Sequence, residues 1–333
     1  MFRHLGRRDL VWAGLLALVL TTGGVAYAAA LPGTYNCVRT DRADGFGLDC
    51  VTAATPAPSA SPTATSSPSP TVAPSATPSP SATATGPLVG CFAAPARCGF
   101  PDASTTGPTG VLAVVGGQTV STAGATLANL DIRGCVVVNA ANVTIRNVKV
   151  SGCGDYVRVR SNGGNLTLVD VEVDCGGGYG MGVGFRGYTL VRADIHNCEN
   201  GGHIDGAVTV RDSWIHDLGG GADGHFDGFQ FGQGAAAVTI EHNVIANPHD
   251  QTSAIIMWDE GDPQNRDVMI RNNLLAGGGY TLYCGRSGTA VNVVVTGNRF
   301  VPGQYSYSDA CGSGGEVWSG NVLDATGAAI PAD

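Results

Sequence analysis

From residue 111 onward the chain repeats itself. Nine segments superpose on a central apolar residue: Leu127, Ile145, Leu168, Leu190, Val210, Ile240, Ile270, Val295 and Trp318, at spacings of 18 to 30 residues. Five positions after these anchors stand Ile132, Val150, Val173, Ile195, Ile215, Ile245, Leu275, Phe300 and Leu323, all large and apolar. In a chain that is 43% hydrophobic, a nine-fold match at one offset restricts the fold more than any single motif does. Such a period, with β-branched residues, alternation and abundant Gly and Asn, predicts an all-β parallel β-helix. Leucine-rich or ankyrin-like repeats would need alanine- and leucine-rich stretches of period 3.6, and none stands here.

In such a fold each coil lies about 4.8 Å from the next, so equivalent residues form columns. Three residues after their anchors, Asn243, Asn273, Asn298 and Asn321 are expected to stack as a ladder whose amides satisfy buried backbone. Eight residues after (seven in one coil), Cys135, Cys153, Cys175 and Cys198 form another column. Neighbouring coils bring Cα atoms within bonding range. The expected disulfides are therefore Cys135–Cys153 and Cys175–Cys198, with Cys37–Cys50, Cys91–Cys98 and Cys284–Cys311 accounting for the other six of ten cysteines. None of the ten forms a C-x-x-C pair, so disulfides are expected rather than a zinc site.

The stretches NVTIRNVKVSGC (142–153), AVTIEHNVIANP (237–248) and DVMIRNNLLAGGGY (267–280) resemble the right-handed parallel β-helix superfamily that includes pectate lyases and polygalacturonases. The resemblance covers about 111–333 and rests on the repeats. It implies a right-handed parallel β-helix solenoid of about nine coils. The polygalacturonase motifs Asn-Thr-Asp, Asp-Asp, Gly-His-Gly and Arg-Ile-Lys are not found; Gly224–His225–Phe226 is half of the third. Pectate lyases join a calcium-binding acidic cluster to a basic proton abstractor. That pattern would assign calcium to Asp223, Asp227 and Asp259, and the base to Arg286 or Arg271.

The chain ahead of the repeats has a different composition. Residues 1–30 carry a basic start (RHLGRR), an apolar run (LVWAGLLALVL) and the small-residue end AYAAA, as a secretory signal does. Arg7–Arg8 leaves twin-arginine export open, and the length of the run leaves a membrane anchor open. Residues 31–51 hold a short Cys-closed segment. Residues 52–87 are almost purely Ala, Pro, Ser and Thr, which cannot bury enough apolar surface to fold; a disordered, Pro-stiffened linker is expected there. Residues 88–110 are read as an N-terminal cap. A net charge of −9 with Lys149 as the single lysine argues against nucleic acid as a partner. The expected location is extracellular or at the cell surface.

The two 30-residue spacings, Val210 to Ile240 and Ile240 to Ile270, place extra loop on the middle repeats, and six of seven histidines lie between 196 and 249. His196 and His216 both fall six residues after their anchors and are expected to stack. His-x-Asp-Gly occurs twice, at His203–Gly206 and within GADGHFDGFQFG (221–232), and the copies are expected to be rungs of one column. Candidate catalytic residues are Asp227, Asp259, Glu260 and His225, since carboxylates one or two coils apart suit glycoside hydrolysis. Gln230, Trp258, Tyr283 and Arg286 are candidate substrate contacts. Asp223 and Asp227 are candidate calcium ligands, no other cofactor being required. Asp-Gly pairs are also ordinary turn residues. Moreover, if Phe229 and Phe231 face the core, an unbroken strand turns Asp227 inward as well. Polysaccharide hydrolysis or β-elimination, and a non-catalytic display module binding glycan or a partner protein, both fit the sequence. Transition-metal binding is disfavoured because no H-x-H or H-x-x-x-H pair occurs.

Overall fold

The computed structural model describes the backbone of residues 35–42 and 45–52 and, with side chains, residues 88–221, 224–257, 264–285, 290–311 and 316–332. The segment read as signal or anchor, and the linker from residue 53 onward, lie outside the described residues. Strands Tyr35–Arg42 and Gly45–Thr52 pair antiparallel in a unit of their own and set Cys37 opposite Cys50. The side chains of that hairpin, and with them the expected Cys37–Cys50 bond, lie outside the described residues. No helix among the described residues is long and apolar enough to cross a membrane.

The second unit is all-β apart from short 3₁₀ turns at Cys91–Ala93 and Pro95–Cys98, and its long ladders are parallel. Such pairing is compatible with a β-helix-like solenoid. Three ladders run through it. In the first, the anchors pair in the register read from the sequence: Leu127 with Ile145, then Leu168, Leu190, Val210, Ile240, Ile270, Val295 and Trp318. The second ladder pairs the residues five positions on, from Ile132 to Leu323. The third contains Val157–Ser161, Asp227–Phe231, Ser253–Ile256, Tyr280–Tyr283 and Ser306–Asp309. From Ile145 to Val295 every anchor is fully buried. Burying a Val, Leu or Ile side chain contributes about 1.5–3 kcal/mol, which is why this column is the strongest signal in the sequence.

The bend between first and second ladders has one cause in all nine repeats. The residue two after each anchor is left-handed: Asn129, Asn147, Asp170, Arg192, Asp212, His242, Asn272, Gly297 and Gly320. Asn, Asp and Gly tolerate this conformation best, and they fill seven of the nine places. The next residue then points into the core. In the first four repeats it is apolar and in the fifth it is the buried Ser213, whose N–H donates to Asn243 Oδ1 at 2.9 Å; Asn243, Asn273, Asn298 and Asn321 form the expected ladder. Asn273 Oδ1 accepts from Asn243 N at 3.0 Å and Nδ2 at 2.9 Å, while Asn273 Nδ2 donates to Ile240 O and Asn298 Oδ1, both at 2.9 Å.

Cys135–Cys153 and Cys175–Cys198 join adjacent repeats with Cα separations of 4.6 and 4.8 Å, and Cys91–Cys98 and Cys284–Cys311 also form. Four disulfides point to an oxidising, extracellular-type environment. Residues 88–110, the segment read as a cap, run along the outside of the ladders from the last repeat to an early one. Gly90 N donates to Asp324 O, His242 Nε2 to Gly99 O, Gly107 N to Arg192 O and Thr109 N to Asn147 Oδ1. Phe100 and Cys91 pack on Val244 and Leu274, so this strap covers the outward face of the later second ladder.

Candidate functional site

The two copies of His-x-Asp-Gly are not equivalent, which corrects the expectation that they form one column. The third ladder pairs Gln230, not His225, with His203, and Asp227 with Asn200. Register there follows burial. Phe229 and Phe231 enter the core opposite Gly202 and Ile204, and Gly202 provides the space the Phe229 ring occupies. That choice sets His225 five residues before Gln230, the residue that stands opposite His203. His203 pairs with Asp205 at 2.8 Å at the end of its strand. The His225 side chain is exposed, and the residue is held through its backbone N–H, which donates to Glu199 Oε1 at 3.0 Å.

Asp227 turns inward, as the parity of Phe229 and Phe231 requires, and is 1% exposed. Its N–H donates to Asn200 Oδ1 at 2.9 Å, and its Oδ1 accepts from Ser253 N at 3.0 Å and Ser253 Oγ at 2.8 Å. Each link joins one repeat to the next, so Asp227 acts as a rung at the corner before the third ladder. Oδ2 has no hydrogen-bond partner among the described residues. The single proton of the nearby Thr252 hydroxyl is shared between the Phe226 and Gln251 carbonyls. Burial pushes the Asp227 carboxyl up to about 7; the Ser253 bonds pull it down, and Glu199 adds to the rise. A carboxyl this enclosed holds a proton near neutrality without access to a substrate.

The third ladder presents a line of side chains outward. His203, Gln230, Ile256, Tyr283 and Asp309 follow one another in register, and all five are half-buried. Met257, Leu282 and Cys284 point in, as expected, and leave Tyr283 facing out. Tyr280 meets Tyr283 with ring centroids 5.3 Å apart and Tyr305 at 5.4 Å, and Tyr305 is 66% exposed. Burial raises the Tyr283 hydroxyl above its ordinary value, with Asp309 adding to it, so it remains a neutral donor. Of the remaining candidates, Asp223, Trp258, Asp259, Glu260 and Arg286 lie outside the described residues. Arg271 is on the first ladder and pairs with Glu241 at 2.8 Å.

The sequence reading missed a charged cluster on the outward face of the second ladder. Glu172 Oε1 accepts from Lys149 Nζ at 2.5 Å and lies 3.3 Å from His196 Nε2. His196 stacks on His216 at 5.3 Å, as the spacing predicts, and His216 bridges Asp194 at 2.9 Å and Asp217 at 2.8 Å. The His196 bond holds the Glu172 carboxyl below its usual range, with Lys149 acting the same way. Glu172 in turn raises His196 and Lys149. Each partner thus favours the charged form of the other, as in a network of ion pairs. The available signal was the pair of columns four and six residues after the anchors, which places Lys149, Glu172, Asp194, His196 and His216 on one face.

Comparison with known protein families, with curated proteins and with solved structures finds no match to this chain. The third-ladder face offers tyrosine rings beside amide and carboxylate groups. Beside the charged cluster, the strap and the second ladder enclose a cleft of about 700 Å³.

Proposed function

We propose that the protein is an exported right-handed parallel β-helix of about nine coils that binds a polysaccharide along the outward face of its third ladder. Membership of the superfamily that includes pectate lyases and polygalacturonases is part of this reading. The observation that carries it is the Tyr280–Tyr283–Tyr305 cluster in line with Gln230 and Asp309. Flat aromatic rings stack on sugar faces, and neighbouring amide and carboxylate groups accept or donate to hydroxyls. The signal-like N-terminus and the Pro-rich linker suit display of such a face away from the point of attachment. Binding comes ahead of cleavage because Asp227 is enclosed and the second-ladder acids are locked in ion pairs. Asp259 and Glu260 are the remaining candidates for cleavage, with calcium at Asp223 in the lyase version.

The test is a binding titration of the full chain against neutral and acidic polysaccharides, with calcium and with chelator. Wild type, Tyr283→Ala and Tyr305→Ala are compared. At least one polymer is expected to bind, and each substitution to weaken it by about tenfold, since an aromatic contact contributes about 0.5–1.5 kcal/mol. Equal binding by all three proteins, or none by any, contradicts the proposal. Release of reducing ends or unsaturated products that disappears in Asp259→Asn or Glu260→Gln would add catalysis to it.

A further inference from the structure

The cleft under the strap is separate from the third-ladder face and has its own chemistry. Its floor is the outward face of the second ladder, with Trp214, Ala246, Ala276 and Val301. Phe92, Ala93 and Pro95 of the strap form one wall, and the Cys91–Cys98 bond closes that segment on itself. Pro248, Pro302 and Gln304 border the opposite side. The charged groups on its lining are Asp102, Asp217 and Asp250, with His216 and His249; among the described residues no lysine or arginine lines it. The Asp217 side chain is 76% exposed at the rim, and Asp250 is exposed too. His249 is occupied, stacked on Phe226 at 3.7 Å with Nε2 donating to Leu218 O at 2.7 Å.

We propose that this cleft binds an amino-sugar chain, its rings lying on the apolar floor and its ammonium groups beside the rim carboxylates. The charge of the lining selects a cation, and the floor selects a flat amphipathic body over a small ion. A peptide adding as a strand would need an unpaired sheet edge. Here the floor is the face of a ladder whose backbone is paired on both sides, Val244 with Trp214 and Leu274, and Leu274 with Arg299. A face without free backbone groups suits stacked rings better than an extended peptide.

The probes are a β-1,4-linked glucosamine tetramer, its fully N-acetylated counterpart and tetralysine, titrated into the full chain at low salt and pH 6. The proteins are wild type, the double variant Asp102→Asn/Asp250→Asn, and Tyr283→Ala. Asn at 102 retains the acceptor used by Ser104 N at 2.9 Å and Ser104 Oγ at 2.6 Å, so the turn is preserved. The glucosamine tetramer should bind wild type at least tenfold more tightly than the acetylated one. The double variant should lose about tenfold, and the preference for the amine form should persist in Tyr283→Ala. No preference for the amine form, or a preference that survives the double variant, overturns the proposal. Tetralysine binding as tightly as the sugar, and lost in the same variant, overturns it in favour of a basic peptide. Loss in Tyr283→Ala alone would move the amine preference to the third-ladder face and likewise overturn it. Because the two faces are probed by different substitutions, failure of either reading leaves the other standing.

Discussion

Two corners of the same domain solve one problem with different side chains. Between the first and second ladders, neutral asparagines link repeat to repeat, and both ends of the Asn273 amide are used. Before the third ladder, Asn200, Asp227 and Ser253 make a comparable chain of backbone-to-side-chain bonds, but one oxygen of Asp227 is left over. In the early repeats that second corner is held covalently, by Cys135–Cys153 and Cys175–Cys198. An amide rung is indifferent to pH over the range in which a carboxylate rung titrates. Burial of a half-satisfied carboxyl therefore raises its pKa, and a raised pKa that elsewhere would signal catalysis here reports a structural compromise.

Substitutions at the two corners test this difference. The largest effect is expected at the asparagine corner. Asn273→Ala strands the Asn243 N–H and the Ile240 carbonyl, and should cost about 3–5 kcal/mol in urea unfolding, at about 1–3 kcal/mol per buried orphan. A cost under 1 kcal/mol would mean the ladder is dispensable. Next, Cys135→Ser/Cys153→Ser opens an 18-residue link and should cost about 3 kcal/mol by the same measurement. Asp227→Asn keeps the oxygen that Ser253 uses and removes the charge. It should gain about 1–2 kcal/mol at pH 8, less than the full burial penalty because the new amide N–H₂ lacks a partner. At pH 4, where wild type holds its proton and only the unpartnered amide counts, it should be about 2–3 kcal/mol less stable than wild type. Smallest of all, His225→Ala should change stability by less than about 0.5 kcal/mol, because its side chain is exposed and the Glu199 bond uses the backbone.

The parts of this fold that were legible in the sequence are those fixed by burial at constant offset. The anchors, the residues five later and the asparagine column each repeat because one missed residue would leave a hole or an orphaned backbone group. The left-handed column two after the anchors was equally present but varied, with Arg192 and His242 among the Asn, Asp and Gly, so composition hid it. The His-x-Asp-Gly echo misled for the opposite reason. Its letters match, but the register answers to Phe229 and Phe231, and it displaces His225 from His203. The Lys149–Glu172–His196 network joins residues 23 and 24 positions apart, which local spacing cannot show until the ladder register is known.

The role of Asp227 as a rung has a direct signature in the pH dependence of stability. Its folded pKa is raised, so the folded state holds a proton that the unfolded chain has released between about pH 4 and 7. Stability from this group is therefore full below about pH 4, falls as pH rises through that window by at most about 1.4 kcal/mol per unit, and is level above it. The direct measurement is urea unfolding of wild type and Asp227→Asn at half-unit steps from pH 4 to 8. The account predicts that the difference between the two proteins grows in favour of the variant up to about pH 7 and then stays constant. Parallel curves, or a variant that loses stability as pH rises relative to wild type, would show an ionised, satisfied Asp227 and return it to the list of candidate catalytic acids.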